Sequence, residues 1–403
     1  MTEWKKVKLG ELYTVHNGLS KGRQFFGSGY PFLSFSTVFN NWFLPETLDS
    51  FVQSTEKERD ACSIKKGDVF ITRTSETMDE LGMSSVALKD YPNATYNGFT
   101  KRLRPIDERV LPGYIGYYLR SPKFRGKFMA FSAMTTRASL ANEDLLSMEV
   151  ELPPLATQRQ VAEVLSRYDA LIENYQRQIK LLEEAAQRLY KEWFVDLRFP
   201  GHETTPIINN LPDGWQKKKV VDIIDLQSGY AFKSSTFVDK GRYKLVTIKN
   251  VKDGFFDGDN VSYLESIPEK MPLHCVLNTG DILLSLTGNV GRVCMVTGND
   301  YLLNQRVAKL KSSIPAFAYC LFRSHDMFIA VNNLANGAAQ QNVSPIKIGE
   351  LNVVLADVET INKFELLCGK IINRILNLHI QIRHLSEARD RLLPKLMNGE
   401  IKV

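Results

Sequence analysis

Along two stretches of the chain, about 156–198 and 359–398, Gly and Pro nearly vanish and apolar residues return at alternating spacings of three and four. The first series is Leu165, Tyr168, Ile172, Tyr175, Ile179, Leu182, Ala186, Leu189, Trp193. Adding 203 to each number gives Cys368, Ile371, Ile375, Leu378, Ile382, Leu385, Arg389, Leu392 and Leu396, apolar everywhere except Arg389. A period of about 3.5 residues keeps one stripe turned toward a partner helix, so four heptads written twice predict two long helices that pair as a coiled coil. The competing arrangement lays each helix along its own globular part. Length opposes it, because about 40 residues at ~1.5 Å each reach roughly 60 Å, more than a domain of about 150 residues spans. Pro394 lies inside the second series and lacks a backbone donor, which predicts a kink or an end near Leu393. Lys191 stands at that place in the first copy, so the first helix is expected to run further.

The rest of the chain, about 1–152 and 206–355, has short apolar or alternating runs such as 68–74 (DVFITRT) and 281–287 (DILLSLT), punctuated by Gly, Asn, Ser and Pro. That is strand-and-turn chemistry with a few short helices. These parts are also copies of one another. Trp4 and Gly18 face Trp215 and Gly229 at a shift of 211, Gly67-Asp68 faces Gly280-Asp281 at 213, and Arg120-Ser121 faces Arg323-Ser324 at 203. The fold expected is α+β: two homologous mixed α/β heads separated by a long antiparallel two-helix coiled coil, with pseudo-two-fold symmetry. The Pro-, Gly- and Asn-rich stretch 197–215 reads as the linker between halves.

Composition narrows the chemistry. The 403 residues are 44% hydrophobic and 24% charged, which suits a globular protein of two or three domains and excludes a fibrous or disordered one. No window of about 18 apolar residues and no signal-peptide core occurs, so no membrane partner and a cytoplasmic location are expected. Cys62, Cys275, Cys294, Cys320 and Cys368 show no metal spacing and read as reduced thiols. No metal site is predicted. Catalytic motifs are missing as well: no GxxxxGK[ST] loop, no Asn/Asp-Pro-Pro-aromatic tetrapeptide of a base-flipping methyltransferase, no nuclease-type Pro-Asp with a following acidic-x-Lys, and no HExxH. His379 and His384 are assigned to the solvated side of the second helix. Gly27-Ser28-Gly29 and Gly288-Asn289-Val290-Gly291 read as turns rather than phosphate cradles. A non-catalytic chain is the expectation.

Net charge is +6, from 51 basic and 45 acidic residues. Residues 1–152 carry 20 basic against 18 acidic side chains and residues 206–355 carry 16 against 13, so neither head is a general polyanion binder. Binding to nucleic acid should then rest on particular groups, and these cluster in turns. In the first head they are Ser20, Lys21 and Arg23; Arg73, Thr74 and Ser75; Lys101, Arg102 and Arg104; Thr135, Thr136 and Arg137. The second head offers Lys233, Ser234 and Ser235; Thr287, Asn289 and Arg292; Asn304, Gln305 and Arg306; Gln340, Gln341 and Asn342. Arg and Lys suit guanine edges or phosphates, and Asn and Gln suit adenine. The scaffold positions match between halves while these exposed positions do not, as one fold reading two different sequences requires.

Several segments carry a family resemblance: 214–237 (GWQKKKVVDIIDLQSGYAFKSSTF), 280–291 (GDILLSLTGNVG), 303–310 (LNQRVAKL), and above all 148–194, a strand running through Leu152-Pro153-Pro154-Leu155 and Gln158 into the heptad helix. The whole chain resembles the specificity (S) subunit of type I restriction-modification systems. The second copy departs from the pattern at 354–358, where the prolines are missing, and the first breaks the Thr-Gly-Asn-Val-Gly loop at Thr74-Ser75-Glu76. The resemblance implies target-recognition domains at 1–152 and 215–355, long helices at 153–200 and 356–403, and a linker at 201–214. It implies a reader of double-stranded DNA in which each head takes half of a bipartite asymmetric site and the helices act as a ruler. Two methyltransferase (M) subunits would dock on the helices and restriction (R) subunits would join. S-adenosylmethionine, ATP and Mg would belong to those partners, with no cofactor in this chain. From Leu165 to Trp193 the seam rises about 42 Å, or roughly 12 base pairs at ~3.4 Å each. Rival readings are the recognition part of a combined restriction enzyme or methyltransferase-only complex, and a coiled-coil scaffold that binds no DNA.

Overall fold

The computed structural model of the chain describes residues 4–73, 81–133, 140–335 and 341–403. The chain forms two compact units, Met1–Leu171 with Leu385–Val403, and Ile172–His384. Each unit thus contains one head and segments of both long helices.

In the first unit, β2 (Tyr13–Asn17), β5 (Val69–Thr72), β6 (Ser84–Val86) and β8 (Thr100–Pro105) make an antiparallel sheet in the order β2-β8-β5-β6. A second sheet takes β3 (Phe26–Leu33), β4 (Ser50–Val52) and β7 (Thr95–Tyr96) in the order β4-β3-β7, with β3 and β7 parallel. β1 (Lys5–Lys8) pairs with β9 (Glu149–Leu152), the strand that leads into the first long helix. All four residues of β5 are buried, which is why that run is apolar without alternation.

The second unit repeats this plan. β13 (Asp225–Ser228), β17 (Ile282–Ser285), β18 (Val293–Met295) and β20 (Val307–Lys311) are ordered β13-β20-β17-β18. β14 (Tyr243–Val246), β15 (Ser262–Leu264), β16 (Val276–Leu277) and β19 (Tyr301–Leu303) are ordered β15-β14-β19-β16, again with a parallel pair, β14 and β19. β12 (Gln216–Lys219) pairs with β21 (Asn352–Leu355) as β1 does with β9. Even the register is shared: Thr14 pairs with Arg104 and Asp225 with Lys311, while Leu19 bridges Asn97 and Tyr230 bridges Asn304. The linker is not bare coil. It holds a hairpin of β10 (Ile207–Ile208) and β11 (Leu211–Pro212), and Phe199 packs on Trp215 with ring centroids 4.8 Å apart.

The first long helix spans Leu155–Tyr190 and the second Val358–Met397. Every residue of the two heptad series is buried or half-buried. In the first unit Val161 and Leu165 share a core with Leu393, Leu396 and Met397, and Arg389 donates to Asp169 at 2.6 Å. In the second, Arg374 reaches Gln178 at 3.2 Å while Trp193 and Phe194 meet Phe364 edge to face with ring centroids 5.7 and 4.9 Å apart. In each unit numbers rise on one helix as they fall on the other, so the segments run antiparallel. Pro394 does not end the second helix, which corrects one of the two outcomes expected there, a kink or an end near Leu393. Burial of Leu393, Leu396 and Met397 holds the last turn to Met397 despite the missing donor. The first helix instead passes at Tyr190 into a π turn, Lys191–Val195, which buries Trp193 and Phe194.

Each head is tied to a long helix by a polar cap. Gln158, almost fully buried, accepts from the Leu111 amide at 2.9 Å and donates to the Arg109 and Pro153 carbonyls, both at 3.0 Å. In the second unit Glu365 accepts from the Ala316 and Phe317 amides at 3.0 and 2.7 Å. Both groups satisfy the open first turn of the same head helix, Pro112–Arg120 in one copy and Pro315–Arg323 in the other. His379 is a second correction. It is half-buried against Phe255, with ring centroids 6.0 Å apart, and burial lowers its pKa to about 4. The five cysteines are all buried and free.

Candidate nucleic-acid interface

The two heads build their candidate surfaces from one backbone pattern. In the first, the Arg73 amide donates to the Phe99 carbonyl at 3.0 Å and the Leu140 amide to the Arg73 carbonyl at 3.3 Å. In the second, Leu286 donates to Arg306 at 3.0 Å and Val343 to Leu286 at 2.9 Å. These are the same two bonds at the shifts of the repeat. Three segments distant in sequence, the end of the inner strand, the start of its neighbour and the stretch before the last head helix, therefore meet at one rim in each head.

In the first head that rim borders a cleft of about 530 Å³ lined by Asn17, Arg73, Lys101, Leu140, Ala141, Asn142 and Glu143. Lys101 is buried where Ile71 and Asn17 flank it on adjacent strands, and its ammonium donates to the Asn142 carboxamide. Burial lowers its pKa, the Arg73 cation lowers it further, and Asp144 opposes both. The Arg73 Nε is buried and meets no acceptor among the described residues. Two cations crowded this way favour an anionic or acceptor-rich ligand.

Other expected residues of this head are placed differently. Arg102 is a correction: it is buried, donates to the Ser63 carbonyl at 2.7 Å and that of Ala61 at 3.3 Å, and stacks on Tyr96. Its guanidinium closes a loop rather than facing outward. Arg104 pairs with the fully buried Asp68 at 2.6 Å, just as Lys309 pairs with Asp281 at 2.8 Å, so the Gly-Asp motif is scaffold. Lys21 is held by Glu58 at 2.8 Å and the Gln53 carbonyl at 2.7 Å, and that bond, with the Thr55 amide, draws the Glu58 carboxyl down to about 2. Arg23 is exposed beside the equally exposed Phe25 and Phe26. Thr74, Ser75, Thr135, Thr136 and Arg137 lie outside the described residues, as does Gln340 in the second head.

The second head brings its expected clusters together. Thr287 is buried and donates from Oγ1 to the Asn342 Oδ1 at 2.7 Å, while Arg306 approaches the same oxygen at 3.5 Å. The Gly288 amide donates to the Gln341 carbonyl at 2.9 Å, and the Gln305 amide to that of Tyr230 at 3.0 Å. Gln305, Arg306, Gln341 and Asn342 are exposed. Asn289 is exposed on the Gly288–Gly291 loop, whose two glycines take φ of +72° and +86° and whose turn is pinned by the Ser285 hydroxyl: Oγ donates to the Asn289 carbonyl at 2.5 Å and accepts from the Arg292 amide at 3.0 Å. Lys233 and Ser234 are exposed on a separate short turn.

Sequence reasoning passed over Phe99, Asn17, Asn142 and Glu143. Phe99 is 59% exposed at the position where the second head has Arg306. An exposed Phe beside an Asn-Gly turn was the available signal.

A two-headed α+β architecture built on paired helices and carrying divergent polar rims is the class these features define. It is shared with solved structures: the S subunit of a type I restriction-modification system from M. genitalium superposes with a TM-score of 0.57 at 13% identity, covering 98% of this chain and 96% of that one. By sequence, the type I restriction modification DNA specificity domain model matches residues 1–184 and 212–383, and the chain belongs to that family. Similar relatives include the type I restriction enzyme MjaIX specificity subunit of Methanocaldococcus jannaschii, 26% identical over 99% of this chain and 93% of the relative. Another is the HindI specificity subunit of Haemophilus influenzae, 23% identical over the full length of both. Among the described residues no helix is long and apolar enough to cross a membrane.

Proposed function

We propose that this chain is the DNA-reading subunit of a type I restriction-modification assembly and is not itself catalytic. Each head reads one half of a bipartite, asymmetric duplex site. The paired helices set the spacer and dock two methyltransferase subunits, which bring S-adenosylmethionine; restriction subunits that use ATP and Mg join the same assembly. The observation that carries this reading is the pair of rims, hydrogen-bonded alike in both heads yet carrying Arg73 and Phe99 at those positions in one and the buried Leu286 and exposed Arg306 in the other. A backbone kept constant under changed side chains suits two readers of different base sequences.

Single-molecule mapping of adenine methylation in cells with and without this chain tests the proposal: a split motif should vanish with the chain. Removing one heptad from each long helix removes about 10 Å, so the spacer should contract by about 3 base pairs or modification should cease. An unchanged spacer in a still active assembly contradicts the ruler. In a mobility-shift assay with the assembly, sequence-specific retention of duplex DNA supports the reader, and no retention at moderate salt returns the chain to the scaffold class.

A further inference from the structure

Asn and Gln read adenine when their carboxamide is free to donate and accept at once. At the rim of the second head Asn342 lacks that freedom. Its Oδ1 accepts from the Thr287 hydroxyl at 2.7 Å and faces the Arg306 guanidinium at 3.5 Å. A guanidinium offers only donors, so turning the amide would set its NH2 against that cation. The backbone fixes this meeting as well: Thr287 and Asn342 form an antiparallel bridge, Val343 donates to Leu286, and Leu286 donates to Arg306. Thr287 is 4% exposed, which leaves its hydroxyl few alternative partners. With that oxygen engaged by Thr287 and faced by Arg306, the groups the pair turns outward are the Asn342 Nδ2 and the Arg306 guanidinium, a donor from each side chain.

We infer that Arg306 and Asn342 form a donor-only pair that selects a guanine in the half-site read by the second head, with Thr287 as the positioning residue that excludes adenine. Guanine alone shows two acceptors, O6 and N7, side by side in the major groove; adenine sets a donor beside N7 and cytosine shows a donor. The inference rests on the reading of the chain as a DNA-recognition subunit and names what one of its surfaces recognises. It also reverses the adenine preference that an Asn suggests from sequence.

Selection from a random duplex library by the assembled complex, followed by sequencing, tests it on wild type and three variants. Wild type should enrich a bipartite motif with a required guanine in one half. Arg306→Ala should relax that one position by about 5- to 150-fold while leaving the other half intact. Asn342→Asp, nearly isosteric and able to pair with Arg306, should lose the guanine preference. Thr287→Val, which frees the carboxamide, should admit adenine there beside guanine, a change in base identity that mere loosening of the loop does not produce. The inference falls if Arg306→Ala weakens all sequences uniformly with a shallower salt dependence, because the guanidinium then meets phosphate. It falls equally if the relaxed position is not guanine, or if none of the variants changes any position. A wild-type assembly that enriches no motif at all removes the DNA-reading function itself, an outcome distinct from these.

Discussion

Gly18 and Gly229 offer the sharpest test that the two heads share one scaffold. A Cβ at Gly18 would lie 2.2 Å from the Asn97 carbonyl oxygen, and one at Gly229 would lie 2.2 Å from that of Asn304. Side chains do not tolerate less than 3.0 Å, so the strands must part by about 0.8 Å if either glycine becomes alanine. Around Gly229 this displacement reaches three backbone hydrogen bonds: Gly229 to Val307 at 3.1 Å, Tyr230 to Leu303 at 2.9 Å, and Gln305 to Tyr230 at 3.0 Å. At about 1 kcal/mol each, their loss destabilises the second unit by about 2–4 kcal/mol. With a urea dependence of about 2 kcal/mol/M the midpoint falls by about 1–2 M. Gly229→Ala should also speed hydrogen exchange at Tyr230 and Gln305, and relax only the half-site read by the second head. Gly18→Ala should do the same at Leu19 and Gly98 for the other half. Gly126→Ala, on an exposed helical site with nothing within 4 Å of the new carbon, serves as control and should stabilise by about 0.5–1 kcal/mol. An unchanged midpoint for both Gly18→Ala and Gly229→Ala refutes the reasoning.

Arg389→Met should destabilise the first unit by about 1–3 kcal/mol in urea unfolding, because among the described residues Asp169 would keep only the Tyr117 hydroxyl as partner; Asp169→Asn added to Arg389→Met should recover part of the loss. The His379 pKa, lowered to about 4 by burial, makes the native state bind fewer protons than the unfolded chain between pH 6.5 and 4. Stability from this group is therefore complete above about pH 6.5 and is lost as pH falls through 4, on the order of 2–3 kcal/mol, and His379→Phe should flatten that part of a stability–pH profile.

The seam was legible from sequence because a 3.5-residue period depends on local spacing alone, and the repeat was legible because Gly18 and Gly229 answer the same steric demand. What stayed hidden depends on contacts between distant segments. Pro394 is read locally as a helix breaker, but Leu393, Leu396 and Met397 gain more from their shared core with Val161 and Leu165 than one missing hydrogen bond costs. Arg102 is read locally as an exposed cation on a turn. It lies on β8 where residues 100–103 are buried on both faces, and the Ser63 carbonyl satisfies its head group. His379 flanks the seam and would face solvent on a lone helix; the loop at Gly254-Phe255 covers it. The convergence of Thr287, Arg306 and Asn342 lay in the sequence as three separate clusters with no sign that they meet.

The comparison of rims also explains how a duplicated head can change its target without refolding. Arg73 and Leu286 occupy one backbone position, and Phe99 and Arg306 occupy another, with the connecting bonds at 3.0 Å in both copies. The cation has in effect exchanged places with an apolar residue across a single hydrogen bond. Leu286 is buried beneath its rim, whereas Arg73 has its Nε buried with no acceptor among the described residues, and burial together with the Arg73 cation lowers the pKa of its neighbour Lys101. The first head therefore concentrates positive charge inside a cleft and leaves a bare phenyl at the edge, a combination suited to an acceptor deep in the groove with an apolar contact beside it, such as a thymine methyl. The second places its guanidinium outermost, over a carboxamide whose oxygen is already engaged. Because the main chain makes the same bonds in both, each side chain can change while the strands beneath it keep their register, and the specificity of one half-site is free to vary without disturbing the other.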